Sequence, residues 1–212
     1  MARHTISPED HARVAAAIKA AESKTDGEIY CVVAHASDGY FFPAALVAMV
    51  GILLASLVLG FALEAWWLSI RLPWFAAAQL LAAAAALLIL WAVPSLRIHL
   101  VPHRLRFEAA HANAQRQFLA HNVHLTAERT GVLIFVSMAE RYAEVLADSG
   151  IDGHVEQHVW DGVVRDLTAR AGDGRLVDGF IAAIETVGAV LAEHFPVSPG
   201  DIDELENRLV EI

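Results

Sequence analysis

One cysteine in 212 residues excludes an internal disulfide framework and any zinc site built from several cysteines. Charge is also scarce. Only 19% of residues are Asp, Glu, Lys or Arg, against about a quarter in an ordinary soluble domain. The charge that is present is mostly acidic, giving a formal net charge of -10. Such a chain lacks the basic face that a general nucleic-acid binder needs to neutralise phosphates. There is no Walker loop, no G-x-S-x-G elbow, no H-E-x-x-H and no D-x-D-x-D-G loop. The first 25 residues are polar and helix-like, so no apolar core of a removable signal peptide is expected there. The length excludes a large multidomain enzyme and leaves room for one domain and an additional element.

What is abundant is apolar side chains, at 56% of the chain. Two segments hold most of the excess. Pro43 to Leu63 has no charged residue in 21 positions, and Trp74 to Val93 has none in 20. Each reaches the roughly 20 residues needed to cross about 30 Å of hydrocarbon. Two adjacent buried core helices would be the soluble alternative. Tyr40, Phe41 and Phe42 precede the first segment, and Trp66, Trp67, Trp74 and Trp91 lie at the other borders. Aromatic rings of this kind favour the headgroup layer. The connection Glu64–Pro73 is short, so the spans form an antiparallel hairpin in the lipid bilayer. Gly51, Ala55, Ser56, Gly60 and the run Ala82–Ala86 suit close helix contact, in a homo-oligomer as well as within one hairpin.

Arg97, Arg104 and Arg106 follow the second span, while the connection carries only Arg71. The positive-inside rule then puts both termini in the cytoplasm of a bacterial inner-membrane, multi-pass protein. Beyond residue 130 there are 16 acidic and 5 basic residues, whereas 94–130 holds 5 basic and 2 acidic ones. The basic arm suits anionic headgroups or simply obeys the positive-inside rule.

The polar parts predict alternating elements. Ser7 caps a helix over about 8–23, with Pro8 at its first position and Val14, Ile18 and Ala21 on one face. Glu28–Ala34 is a strand. Pro102–Leu125 is a long helix with Leu105, Ala109, Ala112, Arg116 and Leu119 at helical spacing. Val132–Ser137 is a strand buried on both faces, and Tyr142–Ala147 is a second strand of a hairpin. Gly153–Ala169 and Leu176–His194 are amphipathic helices, and the acidic tail Asp201–Ile212 adds a short helix. Helix 8–23 and strand 28–34 are too small to bury their own apolar faces. The predicted organisation is therefore 1–39 and 94–196 as parts of one α/β domain, 40–93 as the membrane hairpin, and 197–212 as an acidic tail.

Several short segments, in order, resemble a known family. They are Asp26-Gly27-Glu28-Ile29, then Arg129 through Ser137, Glu140-Arg141, Asp148-Ser149-Gly150-Ile151, Trp160, and Asp178 through Ile184. This series resembles the TPM domain, found in the thylakoid lumen protein, the Psb32 proteins and MOLO-1, and is most similar to bacterial membrane-anchored forms. The similarity covers about 8–35 and 100–195. It implies an α/β/α sandwich around a small mixed sheet, here split in sequence by the hairpin. It also implies either acid phosphatase activity, to which plant members are linked and some of which bind calcium, or an auxiliary, non-enzymatic role.

Acidic residues gather at predicted turns: Asp26, Glu28, Asp148, Asp152, Asp173 and Asp178. Hard cations take six to eight oxygens from such loops, so Glu28, Asp148, Asp173 and Asp178 are the candidate ligands for Ca²⁺ or another divalent cation. The same carboxylates also suit solvated turns and caps. His154 and His158 lie at helical i, i+4 spacing, as do His99 and His103 beside the membrane. Cys31 reads as a small buried hydrophobe. Ser137 ends a strand. Arg129 and Arg141 suit an anion or ordinary ion pairs. No complete catalytic constellation emerges. The expected function is a membrane-anchored interaction or assembly module with a protein partner, the alternative being a metal-dependent phosphatase of low specificity.

Overall fold

The computed structural model describes residues 6–68, 70–151, 153–198 and 204–212. It divides into two compact units, one of residues 38–106 and one that combines 2–37 with 107–212.

The second unit is a three-layer α/β structure. Helix α1 (Pro8–Glu22) starts where the Ser7 hydroxyl accepts the Asp10 N–H at 3.1 Å and donates to the Asp10 carboxylate at 2.8 Å. That bond, helped by Arg13, holds the Asp10 carboxyl below its ordinary range. Strands β1 (Glu28–Ala34) and β2 (Gly131–Ser137) pair in parallel from Glu28↔Gly131 to Ala34↔Ser137. Every residue of both strands is buried, as their unbroken apolar runs require in a sheet covered on both faces. Strand β3 (Tyr142–Ala147) returns antiparallel to β2, and β4 (Leu209–Glu211) pairs in parallel with β1, giving the order β3-β2-β1-β4.

The period of two in each strand sorts side chains into two cores. Ile29, Cys31, Val33, Val132, Ile134 and Val136 face α1, α6 (Gln157–Gly172) and α7 (Leu176–His194). Tyr30, Val32, Leu133 and Phe135 face α5 (His103–Ala120) and the 3-10 turn Val123–Leu125. This is the α/β/α sandwich. Gly131 has no substitute here, because a Cβ would sit 2.1 Å from the Val123 carbonyl oxygen.

Three readings of the sequence need correction. Among the described residues the tail adds no helix. Leu209–Glu211 is a strand, because the outer edge of β1 offers it a partner, and Asp201 to Asp203 lie outside the described residues. The 102–125 segment breaks at Ala120, and its stripe of Leu105 and Leu119 is exposed, whereas Ala110, Asn113 and Ala114 face the sheet. Helix α6 begins at Gln157 with Glu156 as its cap residue, so His154 and His158 do not share a helix face.

The first unit contains α2 (Phe41–Ala65), α3 (Leu72–Ala92) and the short α4 (Pro94–Leu100). Both long helices have the length and composition to cross a membrane, and their most apolar windows are 0% and 6% buried. At 1.5 Å per residue they extend about 38 and about 32 Å. The two pack against each other, and Gln79 donates to the Ser56 hydroxyl across them at 3.3 Å. Val93-Pro94 stops α3. Arg97 then caps it, donating to the carbonyls of Leu90 at 2.7 Å and Trp91 at 3.1 Å. The same guanidinium reaches the Gly39 carbonyl at 3.2 Å and lies 5.3 Å from the Phe41 ring centre. A cation placed at carbonyls freed by a helix end is favoured by both the hydrogen bonds and the helix dipole.

Candidate functional site

The C-terminal ends of the parallel strands are where open α/β sheets place their functional groups. Here they carry a buried polar cluster. Ser137 ends β2, Ser37 follows β1, Glu140 lies in the β2–β3 turn and Asn113 comes from α5. Their exposures are 0%, 9%, 2% and 7%. The Ser37 and Ser137 hydroxyls are 2.8 Å apart. Ser137 also donates to Glu140, whose other oxygen accepts the Ser37 N–H at 3.0 Å. Asn113 donates to the Ser37 hydroxyl at 3.4 Å and accepts from Gln117 at 3.2 Å. Buried polar groups persist when they are mutually satisfied. This set fastens α5, the end of β1 and the β2–β3 turn to one another.

The turn is fixed further by the backbone. Met138 N–H donates to Ala34 O at 2.9 Å and Ala139 N–H to His35 O at 3.1 Å. It leaves Arg141 in the left-handed region at φ 53°. A non-glycine residue there is strained, and such strain tends to occur at functional positions. Arg141 borders a cavity of about 360 Å³ together with Val136, Met138, Ala143, Leu167 and Ala171. Ser137, Tyr142, Thr168 and Gly172 complete its lining, so the walls are mainly apolar with three hydroxyl-bearing side chains and one guanidinium. Among the described residues Arg141 has no acidic partner.

The turn carboxylates are distributed differently. Glu28, 4% exposed, accepts the N–H groups of Glu204 at 3.1 Å and Leu205 at 3.3 Å. It thereby holds the segment that leads into β4. Asp148, 7% exposed, accepts the Ser149 N–H at 2.7 Å, and its other oxygen is buried without a hydrogen-bond partner among the described residues. Asp173 pairs with Arg175 at 3.0 Å, and Asp178 with Arg13 at 2.7 Å. Asp26 accepts the Ser198 N–H at 2.6 Å. Asp152 lies outside the described residues. Among the described residues no three His, Cys, Asp or Glu side chains come together in a way that could hold a metal ion. The placement does not gather Glu28, Asp148, Asp173 and Asp178 into one cation site.

The remaining candidates are structural contacts. His154 packs edge-on against Phe195 at 5.5 Å, and His158 pairs with Glu156 at 3.0 Å. Cys31 is fully buried, and burial, assisted by the Glu22 charge, pushes its thiol far above the usual range. A thiol held protonated in this way is a poor nucleophile. His121 stacks on Tyr30 at 4.7 Å, with burial and then the Arg208 charge lowering its pKa. Ser37, Asn113 and Glu140 carry no spacing signal, because Ser37 lies 76 residues from Asn113 and 103 from Glu140 in sequence.

The TPM domain matches residues 94–190. The solved NMR structure of BA42 protein from the psychrophilic bacterium Bizionia argentinensis has a similar fold, with a TM-score of 0.62 at 19% identity, covering 100% of this chain and 99% of that one. No curated protein sequence matches the chain.

Proposed function

We propose, on the premise that residues 94–190 carry a TPM domain, that the chain is a membrane-anchored interaction module. Its hairpin spans the bilayer, and its acidic α/β domain engages a protein partner at the cytoplasmic face. The observation that carries this reading is the pair of uncovered apolar helices set into the sequence of a domain of opposite character. The hairpin unit holds 2 acidic and 4 basic side chains, and the domain unit 23 acidic and 11 basic ones. Leaving so much apolar surface in water is unfavourable by about 25 cal/mol per Å². A bilayer removes that cost, while an acidic domain stays soluble and is repelled by anionic headgroups.

The test is site-specific photocrosslinking in intact bacterial cells. A photoreactive side chain is placed at exposed Glu156, Asp161 or Asp173 of the full chain. The expected result is a discrete adduct in the membrane fraction that is resistant to carbonate extraction. Recovery of the chain in the soluble fraction, or no discrete adduct from any of the three positions, would contradict the reading.

A further inference from the structure

The β3 strand is one edge of the sheet. The Asp148 N–H donates to Gly131 O at 2.9 Å, which fixes the alternation along the β2–β3 ladder. The backbone groups of Tyr142, Glu144 and Leu146 face β2. Those of Ala143, Val145 and Ala147 face outward, and among the described residues no backbone hydrogen bond reaches them. Edges of this kind are normally blunted by lysine, proline or a bulge. β3 has none of these, and its register with β2 is regular over all six residues.

This edge meets the cavity at Ala143. The cavity lies between the start of β3 and the end of α6, where Leu167 and Ala171 form its far wall. At its border stands Arg141, immediately before the first residue of β3. A strand edge whose outward backbone groups are unpaired, a mainly apolar hole beside it that Ser137, Tyr142 and Thr168 also line, and one cation at its N-terminal end make a coherent set. Resting on the interaction-module reading, we propose that this groove binds the free C-terminus of a partner protein by strand addition. The partner chain runs antiparallel to β3. Its alternate N–H and C=O groups pair with those of Ala143, Val145 and Ala147, its last apolar side chain enters the cavity, and its terminal carboxylate meets the Arg141 guanidinium. Main-chain bonds then supply affinity, and the pocket and charge supply selectivity. The pairing of guanidinium and carboxylate suits a two-pronged, charge-assisted contact. The acid surplus of the domain favours basic residues upstream of the partner's last few positions.

The experiment uses the full chain in detergent micelles and fluorescence anisotropy. The probes are labelled hexapeptides of sequence Lys-Thr-Lys-Val-Thr-X, with X as Leu, Val, Ile or Phe, each made with a free or an amidated C-terminus. At least one free-acid peptide is expected to bind saturably, with its amide weaker by about tenfold or more. Two variants separate binding from folding. Arg141→Gly removes the guanidinium and relieves the left-handed strain, so it is expected to lose binding by about tenfold or more while its thermal midpoint stays or rises. Ala143→Pro removes one outward N–H without touching the β2 ladder and is expected to weaken binding. Equal binding of acid and amide, no saturable binding of any acid peptide up to about 1 mM, or an Arg141→Gly variant that binds like the parent would overturn the proposal. Crosslinking that persists in Arg141→Gly would assign the partner to another surface and leave the interaction-module reading intact.

Discussion

Replacing Glu140 by Ala removes the centre of the buried cluster at the strand ends. The Ser37 N–H at 3.0 Å loses its acceptor, and the Ser137 hydroxyl loses the carboxylate to which it donates. Neither Ser37 nor Ser137 has access to water that could substitute, being 9% and 0% exposed. A buried donor left unsatisfied costs about 1–3 kcal/mol. Two such donors, together with the space left by the side chain, give a loss of about 3–5 kcal/mol. That is a large share of the roughly 5–15 kcal/mol that holds a domain together. Glu140→Gln keeps one acceptor oxygen and the volume, so its loss should be about 1–2 kcal/mol. Pulse proteolysis over a urea series, on the full chain in micelles, reads unfolding of the domain without requiring the hairpin to unfold. A Glu140→Ala midpoint equal to that of the parent would refute the claim that this cluster fastens the turn beneath Arg141.

Other outcomes follow from single contacts. Gly131→Ala drives a Cβ to within 2.1 Å of the Val123 carbonyl, so β2 or the 3-10 turn must move, and a thermal melt should show a loss of about 3 kcal/mol or more. Glu28→Ala removes the acceptor of the Glu204 and Leu205 N–H groups; limited proteolysis should then cut within 204–212 at least tenfold faster, and an unchanged rate would show that β4 holds the tail alone. His121 has a lowered pKa, from burial first and the Arg208 charge second. The unfolded state therefore binds the proton more readily, and stability rises with pH across the range just below the ordinary histidine value of about 6.5. Acid should destabilise the parent more than His121→Asn between pH 7 and about 5, and equal slopes in a pH series of melts would contradict this.

Local signals in the sequence were strong wherever one residue's neighbours decide its structure. The Ser7-Pro8 cap, the unbroken apolar runs of β1 and β2 and the amphipathic face of α7 each carry their own pattern, and the structure places them where the pattern does. The rest depended on distant partners. Three residues at the end of the chain become β4 because β1 presents an edge to them. Asn113 is buried although asparagine usually faces water, because Ser37 and Gln117 satisfy it. Ser137, Arg129 and Arg141 are chemically capable by residue type alone, but the cavity beside Arg141 forms only where the end of α6 packs beside the start of β3. The turn carboxylates share a type and a setting in the sequence, yet each finds a different partner in the fold.

The central claim is that the hairpin crosses a bilayer and leaves the acidic domain in the cytoplasm. Cysteine labelling in intact cells tests it most directly. Native Cys31 is buried and its thiol is held protonated, so it contributes little background. Leu68→Cys, in the exposed connection between α2 and α3, and Ser149→Cys, in the turn after β3, are treated with a membrane-impermeant maleimide before and after lysis. The account predicts that Leu68→Cys labels in intact cells and that Ser149→Cys labels only once the cells are opened. Labelling of Ser149→Cys in intact cells, or protection of Leu68→Cys until lysis, would contradict it.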